Sequence, residues 1–164
     1  MTLVLDKMRM RMAVRFVNAE WQERPVLMSD DRLMQVAQFR AKDMAKNNYF
    51  SHVSRSGTWP NEWVRESGYV LPEKWPDDAN YVESIGKGFL TPEAFMEALY
   101  VSDDHRPHAT GNVPFFFKQM FFGVGYRVGV NSNGIGVPYY VLITAPPEIT
   151  NHNIYIPVVR RQKA

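Results

Sequence analysis

Apolar positions in the first third of the chain recur at three- and four-residue spacing. Over residues 7–22, Met8, Met12, Phe16 and Ala19 share one side, with Arg9, Arg11, Arg15 and Glu20 between them, and this predicts an amphipathic helix. The stretch from Glu23 to Met28, with Pro25 inside it, breaks that pattern. Ser29 and Asp30 then offer an N-cap for a second helix over residues 30–48. Leu33, Ala37, Ala41, Met44 and Ala45 share one face of it, and the small alanines would let another element approach closely. Asn47-Asn48 is its predicted end. After a loop with His52 and a turn at Ser56-Gly57, a short helix is predicted from Pro60, which suits a first helical position, to Gly68, which suits the residue past the end. Residues 71–79, with two prolines and several acids, read as irregular. Thr91-Pro92-Glu93 places a capping hydroxyl, a proline and an acid at the positive end of the dipole of a helix predicted to reach about Ser102.

The last third changes period. Phe121 to Val130 reads as a strand containing glycines, Asn131 to Gly136 as a turn, and Val137 to Ala145 as a second strand, so the two make a hairpin. The repeated glycines mark either bulges or a close backbone approach. Pro146-Pro147 ends the second strand. Asn153 to Val159 is expected to be an extended edge strand, and residues 160–164 a frayed tail. Helices first and a hairpin last indicate an α+β fold rather than alternating βαβ units. With 164 residues, 45% apolar and no linker or repeat, the chain reads as a single domain over residues 1–145, with residues 146–164 packed on it or trailing from it.

Composition removes several classes of function. A net charge of +2 gives little support for nucleic-acid binding, and none is expected. With no cysteine, disulfides and thiol catalysis are excluded, and any metal must be held by N and O ligands. No run of about 18 apolar residues is present to span a bilayer. The first twelve residues lack an apolar stretch of signal-peptide length. Either no standard export signal is used or the signal has been removed, which leaves a cytoplasmic location open. There is no G-x-S-x-G, no phosphate-binding loop and no dinucleotide fingerprint; Gly86-Lys87-Gly88 alone is too short to count.

Taken singly, the candidate site residues are weak signals. A lone histidine after a helix, such as His52, is more often a surface or hydrogen-bonded residue than a ligand. Glu83 sits among Tyr81, Val82 and Ile85, so it either faces solvent or has a partner, because an unpaired carboxylate is costly to bury. His105 and His108 form a local H-x-x-H pair, but Pro107 argues against the continuous helix that a metal site of that kind uses. Phe115-Phe116-Phe117 and Phe121-Phe122 read as core packing, with an apolar-ligand groove as the alternative. Trp59, Trp63 and Trp75 line a cleft mouth or, more ordinarily, pack on the core or surface.

Order adds what single residues lack. Asn47-Asn48-Tyr49-Phe50-Ser51-His52, then Val82-Glu83-Ser84-Ile85-Gly86-Lys87-Gly88, then Ser102-Asp103-Asp104-His105-Arg106, then Gly123-Val124-Gly125-Tyr126 follow one another along the chain. Together with Thr91-Pro92-Glu93-Ala94, this ordered set resembles the CAP superfamily of SCP-like domains, in its bacterial-type branch, over roughly residues 10–145. The resemblance implies a three-layer α-β-α sandwich with a small, mainly antiparallel sheet. It also implies a central cleft lined by two histidines and one or two acids, which here assigns His52, Glu83 and His105. His52 and His105 are the implied ligands of a divalent metal such as zinc. Two neutral imidazoles fill half a tetrahedral shell and leave positions for water; bound water loses a proton more easily, and a nearby glutamate can take it or orient the water.

Three positions depart from the family pattern. The usual Glu-Asn-Ile is Glu83-Ser84-Ile85, the usual tryptophan is Leu99, and the second acid would fall near Ser102, which leaves Asp104 or Asp103 as its substitute. The leading expectation is an extracellular or cell-envelope binding module whose cleft takes a divalent metal and a small-molecule, lipid or peptide ligand. The alternatives are a peptidase or esterase using His52, Glu83 and His105, and a lipid or sterol carrier.

Overall fold

The computed structural model describes residues 2–148. Six helices and four strands follow one another as α1 (Thr2–Val17), β1 (Met28–Ser29), α2 (Asp31–Asn47), α3 (Pro60–Glu66), β2 (Glu83–Lys87), α4 (Pro92–Val101), α5 (Arg106–Thr110), α6 (Pro114–Phe117), β3 (Phe121–Val130) and β4 (Gly136–Ala145). The strands form one sheet in the order β1-β3-β4-β2. Only the two-residue β1 pairs in parallel; β3–β4 and β2–β4 are antiparallel. Two apolar clusters lie on the two faces. One gathers α2 and α3 over Tyr139, Val141 and Ile143. The other gathers α1, α4 and α5 over Val124, Tyr140 and Leu142. The result is the expected α-β-α sandwich with a small, mainly antiparallel sheet.

Helix α2 forms where its capping chemistry asks. The Asp30 side chain accepts from the backbone N–H groups of Arg32 and Leu33, and Asn48 ends the helix with a left-handed φ of 48°. Thr91 caps α4 in the same way. Helix α1 runs earlier than its apolar period suggested, ending at Val17. Asn18 stops it: its amide and its backbone N–H both reach the Val14 carbonyl.

The hairpin explains both its own glycines and the alanines of α2. Its register is continuous from Phe121↔Ala145 to Val130↔Gly136, so the glycines are not bulges. A Cβ on Gly123 would press into the Leu33 carbonyl, one on Gly125 into the Ala37 carbonyl, and one on Gly129 would lie 2.7 Å from the Ala45 oxygen. The backbone of α2 therefore lies directly on β3, and only glycine leaves the room.

Four elements escaped the sequence pattern, the two-residue β1 among them. Strand β2 is covered on both faces, and its first four residues are buried, so it shows no alternation. Helix α5 tolerates Pro107 because the proline falls in its first turn, where no intrahelical N–H is required. Helix α6 is a single turn opened by Pro114. The expected edge strand at 153–159 and the tail at 160–164 lie outside the described residues, as does most of the 146–164 extension.

Candidate functional site

A cleft of about 190 Å³ lies where the loop after α2, the start of β2 and the segment entering α5 meet. His52, Asn80, Glu83, Asp104, His105 and His108 line it, with Tyr81 and Phe116. The fold thus brings His52, Glu83, His105 and Asp104 to one place, although His52 and His105 are 53 positions apart along the chain.

Glu83 opens β2, and its side chain is fully buried. Its partner is Arg40, also fully buried, which projects from the sheet-facing side of α2. Arg40 Nε donates to Glu83 Oε2 at 2.9 Å and Nη2 to Oε1 at 3.2 Å. Of the two environments open to Glu83 from sequence, the fold supplies the partner rather than the solvent. The same guanidinium donates to the Ser51 and His52 carbonyls at 2.8 Å each and to the Tyr49 hydroxyl at 2.8 Å. Tyr49 in turn donates to Asp43. One arginine therefore ties the His52 loop to β2.

His52 Nδ1 lies 2.9 Å from Glu83 Oε1. Asn80 Nδ2 also lies 3.1 Å from Nδ1, but it already donates to the Glu83 carbonyl at 3.0 Å, whereas a carboxylate held by an arginine only accepts; the closer Glu83 contact therefore places the proton on Nδ1 and leaves the lone pair on Nε2. Asn80 Oδ1 accepts from the Glu83 N–H at 2.9 Å and Asn80 Nδ2 donates to the Glu83 carbonyl at 3.0 Å, clamping the start of the strand beside the imidazole. His105 Nδ1 lies 2.8 Å from Ser102 Oγ. Neither His52 Nε2 nor His105 Nε2 has a protein partner among the described residues.

His108 is different in kind. Both of its nitrogens are used, Nδ1 by Ser84 Oγ and Nε2 by Thr144 Oγ1, each at 2.7 Å. Gln119 Nε2 donates to the Tyr81 carbonyl, which turns Gln119 Oε1 toward the Thr144 hydroxyl. Thr144 therefore donates to Gln119 and accepts from His108, which places the His108 proton on Nε2. Burial, reinforced by the nearby Arg24 cation, pushes its pKa down to about 3. His108 is a neutral buried histidine behind the cleft, and His105 and His108 do not act as a local pair.

The remaining candidates separate. Asp103 is exposed and pairs with Arg106 at 2.9 Å, whereas Asp104 lines the cleft. Ser102, at the position of the second acid, holds His105. Of the phenylalanines read as core, Phe122 is buried, while Phe115 and Phe117 are more than 40% exposed. They differ because α6 lies on the rim rather than over the sheet. Phe116 packs edge-on to His108, and Phe115 stacks on Trp75 and meets Tyr81. Trp63 packs on Phe39 and the core behind α2. Among the described residues no group of three or more His, Asp or Glu side chains is placed to hold a metal ion, and no helix is long and apolar enough to cross a membrane. A larger apolar groove of about 690 Å³, walled by Leu71, Phe117, Met120 and Pro146 among others, shares no lining residue with the cleft.

No family model matches this chain, and no curated protein does. Among solved structures, an extracellular protein of Bacillus anthracis that contains an SCP domain superposes with a TM-score of 0.52 at 20% identity, over 90% of this chain. The chain has the SCP-like fold. It spans 40% of the length of the Bacillus anthracis protein. An outer surface protein of Borrelia burgdorferi gives a TM-score of 0.49 at 16% identity, over 89% of this chain and 92% of its own. The sequence had no direct signal for Asn80, Ser84 or Thr144. Arg40 did leave one: it stands on the apolar face of α2, between Ala37 and Met44.

Proposed function

We propose that this SCP-like domain is a binding module whose cleft takes a divalent cation, zinc in the first instance, through His52 Nε2 and His105 Nε2. One observation carries the reading. Two imidazoles on one cleft each have Nδ1 engaged, by Glu83 and by Ser102, while Nε2 has no protein partner. Metal-binding histidines are held in this way, with the second nitrogen fixing the ring and its tautomer. The donor set fits an open site with two protein ligands and not a closed structural shell, because both oxygens of Glu83 are taken by Arg40 and His52. Zinc there would act as a Lewis acid with positions open to water or ligand.

The same arrangement takes Glu83 out of the base role. A general base must reach the proton it removes, and the buried Glu83 carboxylate is enclosed by Arg40 and His52. The apolar groove gives the carrier reading a location, with Glu73 and Lys118 as the charged residues on its lining. The Bacillus anthracis protein is extracellular by description, and this chain is proposed to work in the same setting. Calorimetric titration of metal-stripped protein with zinc at neutral pH is the test. The reading expects one site, lost in the His52→Ala/His105→Ala double variant. Absence of binding, or equal affinity in that variant, overturns it.

A further inference from the structure

Arg40 has five hydrogen-bond acceptors and no exposed surface. It reaches Glu83 Oε1 and Oε2, the Ser51 and His52 carbonyls and the Tyr49 hydroxyl. An arginine in such a place is more than a counter-ion, because its planar fork dictates what the other side of the carboxylate does. With Arg40 donating to both oxygens, Glu83 presents only acceptor character to His52. Its Oε1 can then be met only by a donor, Nδ1–H.

We propose that Arg40 is the positioning residue of the cleft: by saturating Glu83 it sets the tautomer of His52 and leaves the Nε2 lone pair for the ligand. This deepens the two-imidazole reading and rests on it for the ligand alone. The tautomer follows from the chain Arg40–Glu83–His52 whether or not a cation binds. Arg40 touches neither ring nitrogen of His52 and acts through Glu83, and through the two loop carbonyls that seat the ring.

Glu83→Gln separates this role from simple packing. The substitution keeps the shape and leaves one acceptor oxygen. The Arg40 Nε bond to Oε2, at 2.9 Å, is shorter than the Nη2 bond to Oε1, at 3.2 Å. The amide oxygen therefore takes the Oε2 position and the NH₂ group takes the Oε1 position, facing His52. An NH₂ group there donates to Nδ1, and the ring proton moves to Nε2.

The experiment is ¹⁵N NMR of the His52 imidazole in metal-free protein, assigned by its loss in His52→Ala, with zinc calorimetry beside it. Wild type is expected to show the Nδ1-protonated form and Glu83→Gln the Nε2-protonated form, with zinc affinity falling about 10- to 100-fold, the usual effect of removing a partner that orients a ligand. Arg40→Lys, which keeps the charge but not the fork, is expected to give a mixture of tautomers and covers the case in which Glu83→Gln does not fold. Tyr49→Phe removes one Arg40 contact without touching Glu83 and is expected to leave the tautomer unchanged. An unchanged tautomer in the folded Glu83→Gln protein, or in Arg40→Lys where Glu83→Gln does not fold, overturns the proposal. So does a Tyr49→Phe effect as large as theirs. If the tautomer responds as expected but wild type binds no zinc, the role of Arg40 stands and the cation reading falls.

Discussion

Gly125→Ala adds one methyl group at the closest point between the sheet and α2. The new Cβ would sit against the Ala37 carbonyl and 2.7 Å from the Gln38 nitrogen, where about 3.5 Å is the near limit of comfortable contact. Everything it meets is backbone, in a helix whose hydrogen bonds resist local adjustment, so no side chain can turn aside. The helix has to lift. Overpacking a core costs about 1–3 kcal/mol and occasionally more, and this case belongs at or above about 3 kcal/mol. Two glycines of the same hairpin are internal controls. Gly136 has one neighbour, Val128 Cγ1, at 3.2 Å, and its alanine should lie within about 0.5 kcal/mol of wild type, because the restricted unfolded chain offsets a mild contact. Gly134 stands in open space at a φ of 76°, so its alanine should cost about 1 kcal/mol through backbone strain alone. Urea unfolding of the three variants gives the order. If Gly125→Ala is no more destabilising than Gly136→Ala, the close seating of α2 on β3 is wrong. Arg40 lies one turn along from Ala37, so a lifted helix should also weaken the Arg40–Glu83 pair.

His108 is neutral and buried, with its pKa pushed down to about 3 from an ordinary 6.5 by burial and the nearby Arg24 cation. Between those values the unfolded chain binds a proton that the folded chain refuses, so the contribution of His108 is complete above about pH 6.5 and is lost as pH falls toward 3, at up to about 1.4 kcal/mol per pH unit. Urea unfolding at pH 7 and pH 5 should therefore show a smaller loss in His108→Gln than in wild type; equal losses would contradict the burial. Asp30→Ala removes the acceptor for two N–H groups of α2 and a partner of Arg32, and should cost about 1–2 kcal/mol by the same assay; a change under about 0.3 kcal/mol would show that the cap is not formed in solution.

Much of the sandwich is legible along the chain because its signals are local. A capping aspartate, a proline at a helix start and two apolar runs joined by a short polar turn act within a few residues, and α2, α4 and the β3–β4 pair follow them closely. The alanines of α2 and the glycines of β3 are each visible alone, but their complementarity is a contact between segments some 90 residues apart, and sequence left bulge and close approach equally open. Strand β2 hides because it is only five residues long and its partner β4 lies far along the chain, so no short turn marks the pair. The site is less legible still. His52 and His105 carry no local signal, and only the order of the fragments drew attention to them. Arg40 and Glu83 were each an anomaly, a charge placed among apolar residues, and each anomaly is the answer to the other, since a buried ion is tolerated when paired and hydrogen-bonded.

The departures from the familiar pattern gain a physical meaning from the same geometry. Ser84 stands where an asparagine is usual, and its hydroxyl supports His108 Nδ1. Ser102 stands where an acid is expected, and its hydroxyl supports His105 Nδ1. In each case a small hydroxyl replaces a larger or charged group and is used on an imidazole. The carboxylate that is retained, Glu83, has its charge answered by Arg40 and serves His52 Nδ1. Each of the three imidazoles of the cleft has a partner, and Asp104 keeps a carboxylate on its lining. Two of the three present a nitrogen with no protein partner, and the third is sealed behind them to hold β2, β4 and α5 together. Such a site leaves two imidazole nitrogens open to a ligand, while Glu83 is engaged in orienting one of the two rings.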